Sequence, residues 1–142
     1  DQYLVCEVGM NSPGEISPLA RIIDPDIAVI TSIGRAHIEA FGSLEGIARE
    51  KAVLLSYLRP NGLAIVPADE PLLDDYARPI PNVVLFGEDP AATLRLTSVA
   101  RSERPNSIDI TVNDRARFTV PLLGRHNARN ALAAIAVARR LG

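Results

Sequence analysis

A chain of 142 residues is long enough for one domain that buries about two-thirds of its unfolded surface in a single core. With 47% apolar and 23% charged residues its composition is ordinary for a globular protein, and no apolar stretch is long enough to insert into a bilayer. Fifteen basic against seventeen acidic residues leave a net charge of −2 with no basic run, which argues against a nucleic-acid partner. The single cysteine, Cys6, rules out an internal disulfide framework. Embedded in the apolar run Tyr3 to Val8, it reads as a buried small side chain and fits a reducing cytoplasm. No signal peptide or lipidation motif is present, and the chain opens without an initiator methionine in a strand-like run, so a piece of a longer protein is expected.

In chain order, Tyr3 to Val8 and Ile27 to Thr31 are short β-rich runs that do not alternate cleanly, as central strands of a parallel sheet covered on both faces would not. Between them Ser12, Pro13 and Glu15 match the start of a capped helix whose apolar face is Ile16, Leu19, Ala20 and Ile23. Pro18 conflicts with that start, and a helix beginning at Ser17 is the alternative. Ser43 opens a second helix with a stripe of Leu44, Ile47, Ala48, Leu55 and Leu58, ended by Pro60, Asn61 and Gly62. Strands over Leu63 to Val66 and Val83 to Phe86 enclose a short helix around Leu72 to Ala77. From Ala92 the texture changes: Leu94 to Val99, Ile108 to Val112 and Arg117 to Val120 alternate apolar with polar residues, as in an antiparallel meander. An alanine-rich helix from about Asn127 to Leu141 closes the chain. The expected fold is α/β, a mostly parallel, doubly wound sheet flanked by helices, with a small meander over about residues 92–121.

In such sheets ligands bind beyond the carboxyl ends of the strands. Glu7 interrupts an apolar strand near its end, and the loop after Ile27 to Thr31 carries Gly34, His37 and Glu39. A carboxylate and an imidazole there could form a divalent-metal pair, with Mg²⁺ completing its shell from water and phosphate; a local Arg partner for Glu7 and a hydrogen-bonded loop role for His37 remain equally open. Lys51 falls on the apolar stripe of its helix, where an ammonium must be paired, neutralised, modified or snorkelled to the surface. Asn127 and Asn130 share one side of the last helix's first turn, where two amides can offer donors and acceptors to a heterocycle; capping by Asn127 beside a solvated Asn130 is the plainer alternative.

Four segments together resemble the ordered motifs of the central domain of the Mur ligase family. They are Glu7-Val8-Gly9-Met10-Asn11-Ser12-Pro13-Gly14-Glu15-Ile16, Thr31 to Ser43 with Ala36-His37-Ile38-Glu39-Ala40-Phe41-Gly42-Ser43, then Lys51, then Gly124-Arg125-His126-Asn127-Ala128-Arg129-Asn130. The first two are most similar to the branch that adds D-alanyl-D-alanine. The resemblance spans nearly the whole chain, and Ala68 to Phe118 carries little of it. Ser32, Arg35 and Ala52-Val53 depart from the residues frequent in the family at those positions.

The resemblance implies that Glu7 and His37 hold Mg²⁺, that Lys51 carries a carbamate that joins them at one rim of the sheet, and that Asn127 and Asn130 face the adenine of ATP. His37 and Lys51 would be the catalytic residues. It implies a cytoplasmic, monomeric, amide-forming ligase that activates the carboxylate of a UDP-N-acetylmuramoyl-tripeptide as an acyl phosphate and joins it to D-alanyl-D-alanine. A ligase adding a single amino acid, a folylpolyglutamate synthetase relative, and a non-catalytic nucleotide-binding module are the rival readings. No G-x-x-x-x-G-K-[ST] occurs in the chain, and in the family that phosphate-binding loop lies upstream of the position of Glu7. The UDP-binding amino-terminal and the carboxy-terminal domains of the family are also absent from the sequence, so the expectation is that these 142 residues alone do not catalyse ligation.

Overall fold

A computed structural model describes residues 2–142. They form strands β1 (Ile27–Val29), β2 (Leu63–Pro67), β3 (Val83–Gly87), β4 (Leu94–Arg101), β5 (Ile108–Val112) and β6 (Ala116–Val120). The helices are α1 (Ile16–Ile23), α2 (Ile38–Phe41), α3 (Leu44–Ala52), α4 (Asp74–Ala77) and α5 (Arg125–Leu141), with 3-10 turns at Val53–Tyr57 and Pro71–Leu73. Among the described residues no helix is long and apolar enough to cross a membrane.

The strands make one mixed sheet in the order β1-β2-β3-β4-β5-β6. Leu63 donates its N–H to Asp26 and Ile30 to Ile65, while Ala64 donates to Asn82 and Ala68 to Phe86. Partner numbers rise together along both pairs, as parallel strands require. β3 and β4 are parallel as well, Phe86 lying opposite Leu94. β4 pairs with β5, and β5 with β6, in antiparallel fashion, so the expected meander is present and β4 is where the sheet changes sense. The strand patterns follow: the unbroken apolar run of β2 is buried at all five positions, whereas β5 is buried at every second residue.

The chain divides into two compact units. Among the described residues, the first comprises 2–28, 33–64 and 72–82. Its core includes Ile16 and Ala20 of α1, Ile47, Ala48 and Ala52 of α3, and Leu55 of the 3-10 turn, against which both helices pack. The second comprises residues 29–32, 65–71 and 83–142. There α5 buries Ala128, Leu132, Ala133 and Ala136 and packs on β3 and β4, above Phe86, Leu94 and Leu96. Small alanines on the inner face let the helix lie close to the strands.

Several sequence expectations need correction. No strand forms over Tyr3 to Val8, where residues 2–10 have no regular secondary structure. Tyr3, Leu4 and Val5 are 60%, 86% and 92% exposed, and Cys6 is exposed rather than buried. A strand is defined by its pairing, and none of the six strands takes this segment as a neighbour. Ser12 does not cap a helix: α1 starts at Ile16, and the Glu15 carboxylate instead accepts the N–H of Asn11 at 2.7 Å. That start removes the objection from Pro18, which now falls in the first turn, where its missing N–H has no intrahelical partner to lose. The helix expected to run from Ser43 to Leu58 stays α-helical only to Ala52; Val53 already bonds Glu50, three residues back, and the chain continues as a 3-10 turn. Helix α2 was not foreseen.

The junction of α2 and α3 is tight. Ser43 Oγ accepts the N–H of Gly46 at 3.1 Å as the N-cap of α3, and a Cβ on Gly46 would stand 2.3 Å from the carbonyl oxygen of Phe41. Gly46→Ala should therefore destabilise the fold by about 1–3 kcal/mol, against a general preference for alanine in helices. Ser43→Ala should cost about 1 kcal/mol as a lost cap. Urea unfolding of the two variants checks both values; an unchanged or raised midpoint for Gly46→Ala would contradict the close approach.

Candidate functional site

In the first unit, Glu7 lies in the irregular amino-terminal segment and is exposed. His37 follows β1 in the loop that leads to α2, is exposed, and has a left-handed backbone, φ 61°. Among the described residues neither side chain makes a hydrogen bond or ion pair, and no hydrogen bond joins one to the other. Three or more His, Cys, Asp or Glu side chains grouped to hold a metal ion do not occur among the described residues.

Lys51 occupies the last turn of α3 and is half-buried. Burial pushes its ammonium below the ordinary lysine range, because desolvation penalises the charged form. The more deeply buried charge on α3 is its neighbour Glu50, 8% exposed, whose Oε1 accepts the N–H of Ile16 at 3.0 Å. Glu50 thus takes one of the open donors at the start of α1 and holds that helix to α3. Ser17 adds a second tie, its Oγ lying 2.7 Å from the hydroxyl of Tyr57.

In the second unit, α5 begins at Arg125 with Gly124 as its N-cap and no side-chain cap. Asn127 lies inside the first turn rather than at the cap. Its Nδ2 donates to the carbonyl of Leu123 at 2.8 Å, while Asn130, one turn on, is exposed. Asn127 keeps its amide oxygen and Asn130 its whole amide for another molecule.

Asp69, two residues past β2, is the residue that sequence reasoning missed here. Its carboxylate accepts the backbone N–H groups of Glu88 and Asp89 just past β3, and pairs with Arg129 of α5 at 3.1 Å. The rule that singled out Glu7, a polar residue at the carboxyl end of a parallel strand, applies equally to Asp69 and could have found it. Glu50 left no such signal, since it sits among other charges in Arg49-Glu50-Lys51. A cleft of about 250 Å³ is lined by Glu88, Arg125 and Leu96 to Val99, and none of the five residues singled out from the sequence lines it.

Because the folded pKa of Lys51 is lowered, the folded state resists protonation more than the unfolded chain does. The burial cost is present in full below the folded pKa and fades as pH rises towards the unfolded value. Wild-type stability should therefore gain relative to Lys51→Met as pH is raised from 7 towards that of an ordinary lysine. Paired urea titrations across this range check the sign, and a gap that widens in favour of Lys51→Met would contradict it.

Comparison with known proteins bears on the family and the fold. Residues 1–138 match the Mur ligase middle domain. The UDP-N-acetylmuramoyl-tripeptide--D-alanyl-D-alanine ligase of Bacillus subtilis is 38% identical over 142 residues, 99% of this chain and 30% of the relative. The crystal structure of MurF from Acinetobacter baumannii superposes with a TM-score of 0.82 at 31% identity, over 94% of this chain and 30% of that one. MurF from Thermotoga maritima, solved in complex with ADP, gives a TM-score of 0.79 at 29% identity, over 93% of this chain and 31% of that one. The chain thus spans about a third of the length of these relatives. With nearly every residue inside the matched region and the same mixed sheet with flanking helices, the chain belongs to the Mur ligase middle-domain family.

Proposed function

We propose that the protein containing this chain is a cytoplasmic, ATP-dependent ligase of peptidoglycan precursor synthesis, which joins D-alanyl-D-alanine to a UDP-N-acetylmuramoyl-tripeptide. The match along nearly the whole chain to a ligase of that name carries the reading. In this reading ATP converts the terminal carboxylate of the tripeptide into an acyl phosphate, and the amine of the dipeptide displaces phosphate through a tetrahedral intermediate. Two anionic reactants must approach while charge builds on the transferring oxygens, so fixed cations and donors carry the catalysis.

Glu7, His37 and Lys51 are assigned to the metal side, and Asn127 and Asn130 to the adenine. The donor set suits Mg²⁺ in part: Glu7 offers the oxygen that a hard cation prefers, the imidazole of His37 is a softer donor, and water and phosphate oxygens fill the remaining positions. When bound, Mg²⁺ supplies charge neutralisation for the phosphates. Lys51 is the chain's only lysine. Its burial raises the fraction of neutral amine, the form that adds CO₂. The ammonium gives up one proton to become that amine, and forming the N–C bond with CO₂ releases a second, so a cation would be replaced by a carboxylate-like group that brings a second oxygen donor to the set. The exposed, uncommitted side chains of Glu7 and His37 support the same assignment.

The complete protein should release ADP only when both the UDP-linked tripeptide and D-alanyl-D-alanine are present, and His37→Ala should lower that rate by roughly a hundredfold, as loss of a group stabilising transition-state charge does. Equilibration with ¹³CO₂ should give one carbamate resonance that vanishes in Lys51→Arg. ADP release that needs UDP-N-acetylmuramate with a single amino acid instead would move the protein to another branch of the family. No turnover with either pair would overturn the enzymatic reading.

A further inference from the structure

Within the second unit, one carboxylate joins the ends of β2 and β3 to the start of α5. Asp69 accepts the N–H of Glu88 at 3.1 and 3.2 Å and that of Asp89 at 2.6 Å, and its Oδ2 lies 3.1 Å from Nη2 of Arg129. The carboxylate is only 24% exposed, so these donors replace most of its water. The turn is built to admit it: Gly87 has φ +146°, and a Cβ there would stand 2.3 Å from Asp69 Oδ2. Arg125, four residues before Arg129 and so one turn earlier on the same face of α5, pairs with Glu88, whose own N–H is held by Asp69. Both arginines of the helix start are therefore moored to one turn, the first through Glu88 and the second directly.

The consequence falls on Asn127 and Asn130, which flank Arg129 along the helix. Helix α5 starts at a glycine with no side-chain cap; at its own start the side-chain tie is that of Asn127 to the Leu123 carbonyl, which holds one NH₂ group and does not reach Asn130. We propose that Asp69 is a positioning residue for nucleotide binding: through Arg129, and through Glu88 and Arg125, it sets the direction in which Asn127 and Asn130 present their amides. This rests on the reading that those asparagines face adenine. Two hydrogen bonds to a heterocycle need their donors and acceptors aligned before the ligand arrives, since ordering them on binding costs affinity. Asparagine at position 69 would keep the shape but lose the charge that holds Arg129, and it would turn an NH₂ group towards N–H donors.

The test is nucleotide binding by the complete protein, as wild type, Asp69→Asn, Arg129→Ala and Arg129→Lys, with hydrogen exchange followed in each. Asp69→Asn and Arg129→Ala should weaken Mg-ADP binding roughly tenfold, the scale of one lost hydrogen bond, and Arg129→Lys should recover part of the loss. The KM for ATP should rise with kcat little changed. Exchange should quicken at residues 127–130 while β5 stays protected. Unchanged ADP affinity in Asp69→Asn and Arg129→Ala, even with a lower melting temperature, would reduce Asp69 to a structural tie and overturn the proposal while leaving the nucleotide reading intact. A wild-type protein that does not bind ADP would overturn the nucleotide reading, and the positioning role with it.

Discussion

A carboxylate drawn out of water must be met by donors, and each unit of this protein is organised around one such group. In the first, Glu50 answers the open N–H of Ile16 across 34 residues of sequence and so holds α1 to α3. In the second, Asp69 answers two backbone donors and a guanidinium, and ties the turn after β3 to the residue pair past β2 and to α5. Neither contact supplies much area to the core. Their effect is on geometry, because a hydrogen bond to a charged acceptor is short and directional where apolar packing tolerates small shifts.

The residues assigned to chemistry follow from these ties. Successive residues of an α-helix point about 100° apart, so when Glu50 faces the start of α1, Lys51 is turned to the border of the buried face. That intermediate position lowers its basicity without enclosing it, which is where an amine able to react with CO₂ needs to be. Asn127 is likewise half committed, one donor spent on Leu123 and its oxygen kept. Asn127 is thus held by the fold yet leaves polar capacity to spare, the condition for a preorganised site.

Most of the fold was legible because it is local. The apolar run of β2 and the alternation of β5 reflect short-range physics, and both strands lie within a residue of their expected places, whereas α3 ends at Ala52, well ahead of the expected stop at Pro60-Asn61-Gly62. Tyr3 to Val8 shows the limit: its composition is that of a strand, but a strand exists only with a neighbour, and this one has none in the sheet. Helix α2 was hidden because its four residues, Ile38-Glu39-Ala40-Phe41, are too few to show an apolar period. The stripe pattern marked Lys51 and passed over Glu50, since charge within a helix looks alike in sequence until a partner from elsewhere in the chain decides which residue turns inward. Glu7 and His37 stand out in sequence by their place at expected strand ends, and Asn127 and Asn130 by their spacing on the last helix; the family resemblance gives each a role, and the structure adds where each stands.

The most direct measurement is a crystal structure of the complete protein with ADP and Mn²⁺ in place of Mg²⁺, using anomalous scattering to locate the metal. Adenine within hydrogen-bond reach of Asn127 and Asn130, and a metal peak at the side chains of Glu7, His37 and modified Lys51, is the arrangement expected. Adenine held elsewhere, or a metal ligated by residues outside that set, would contradict the assignment of the site.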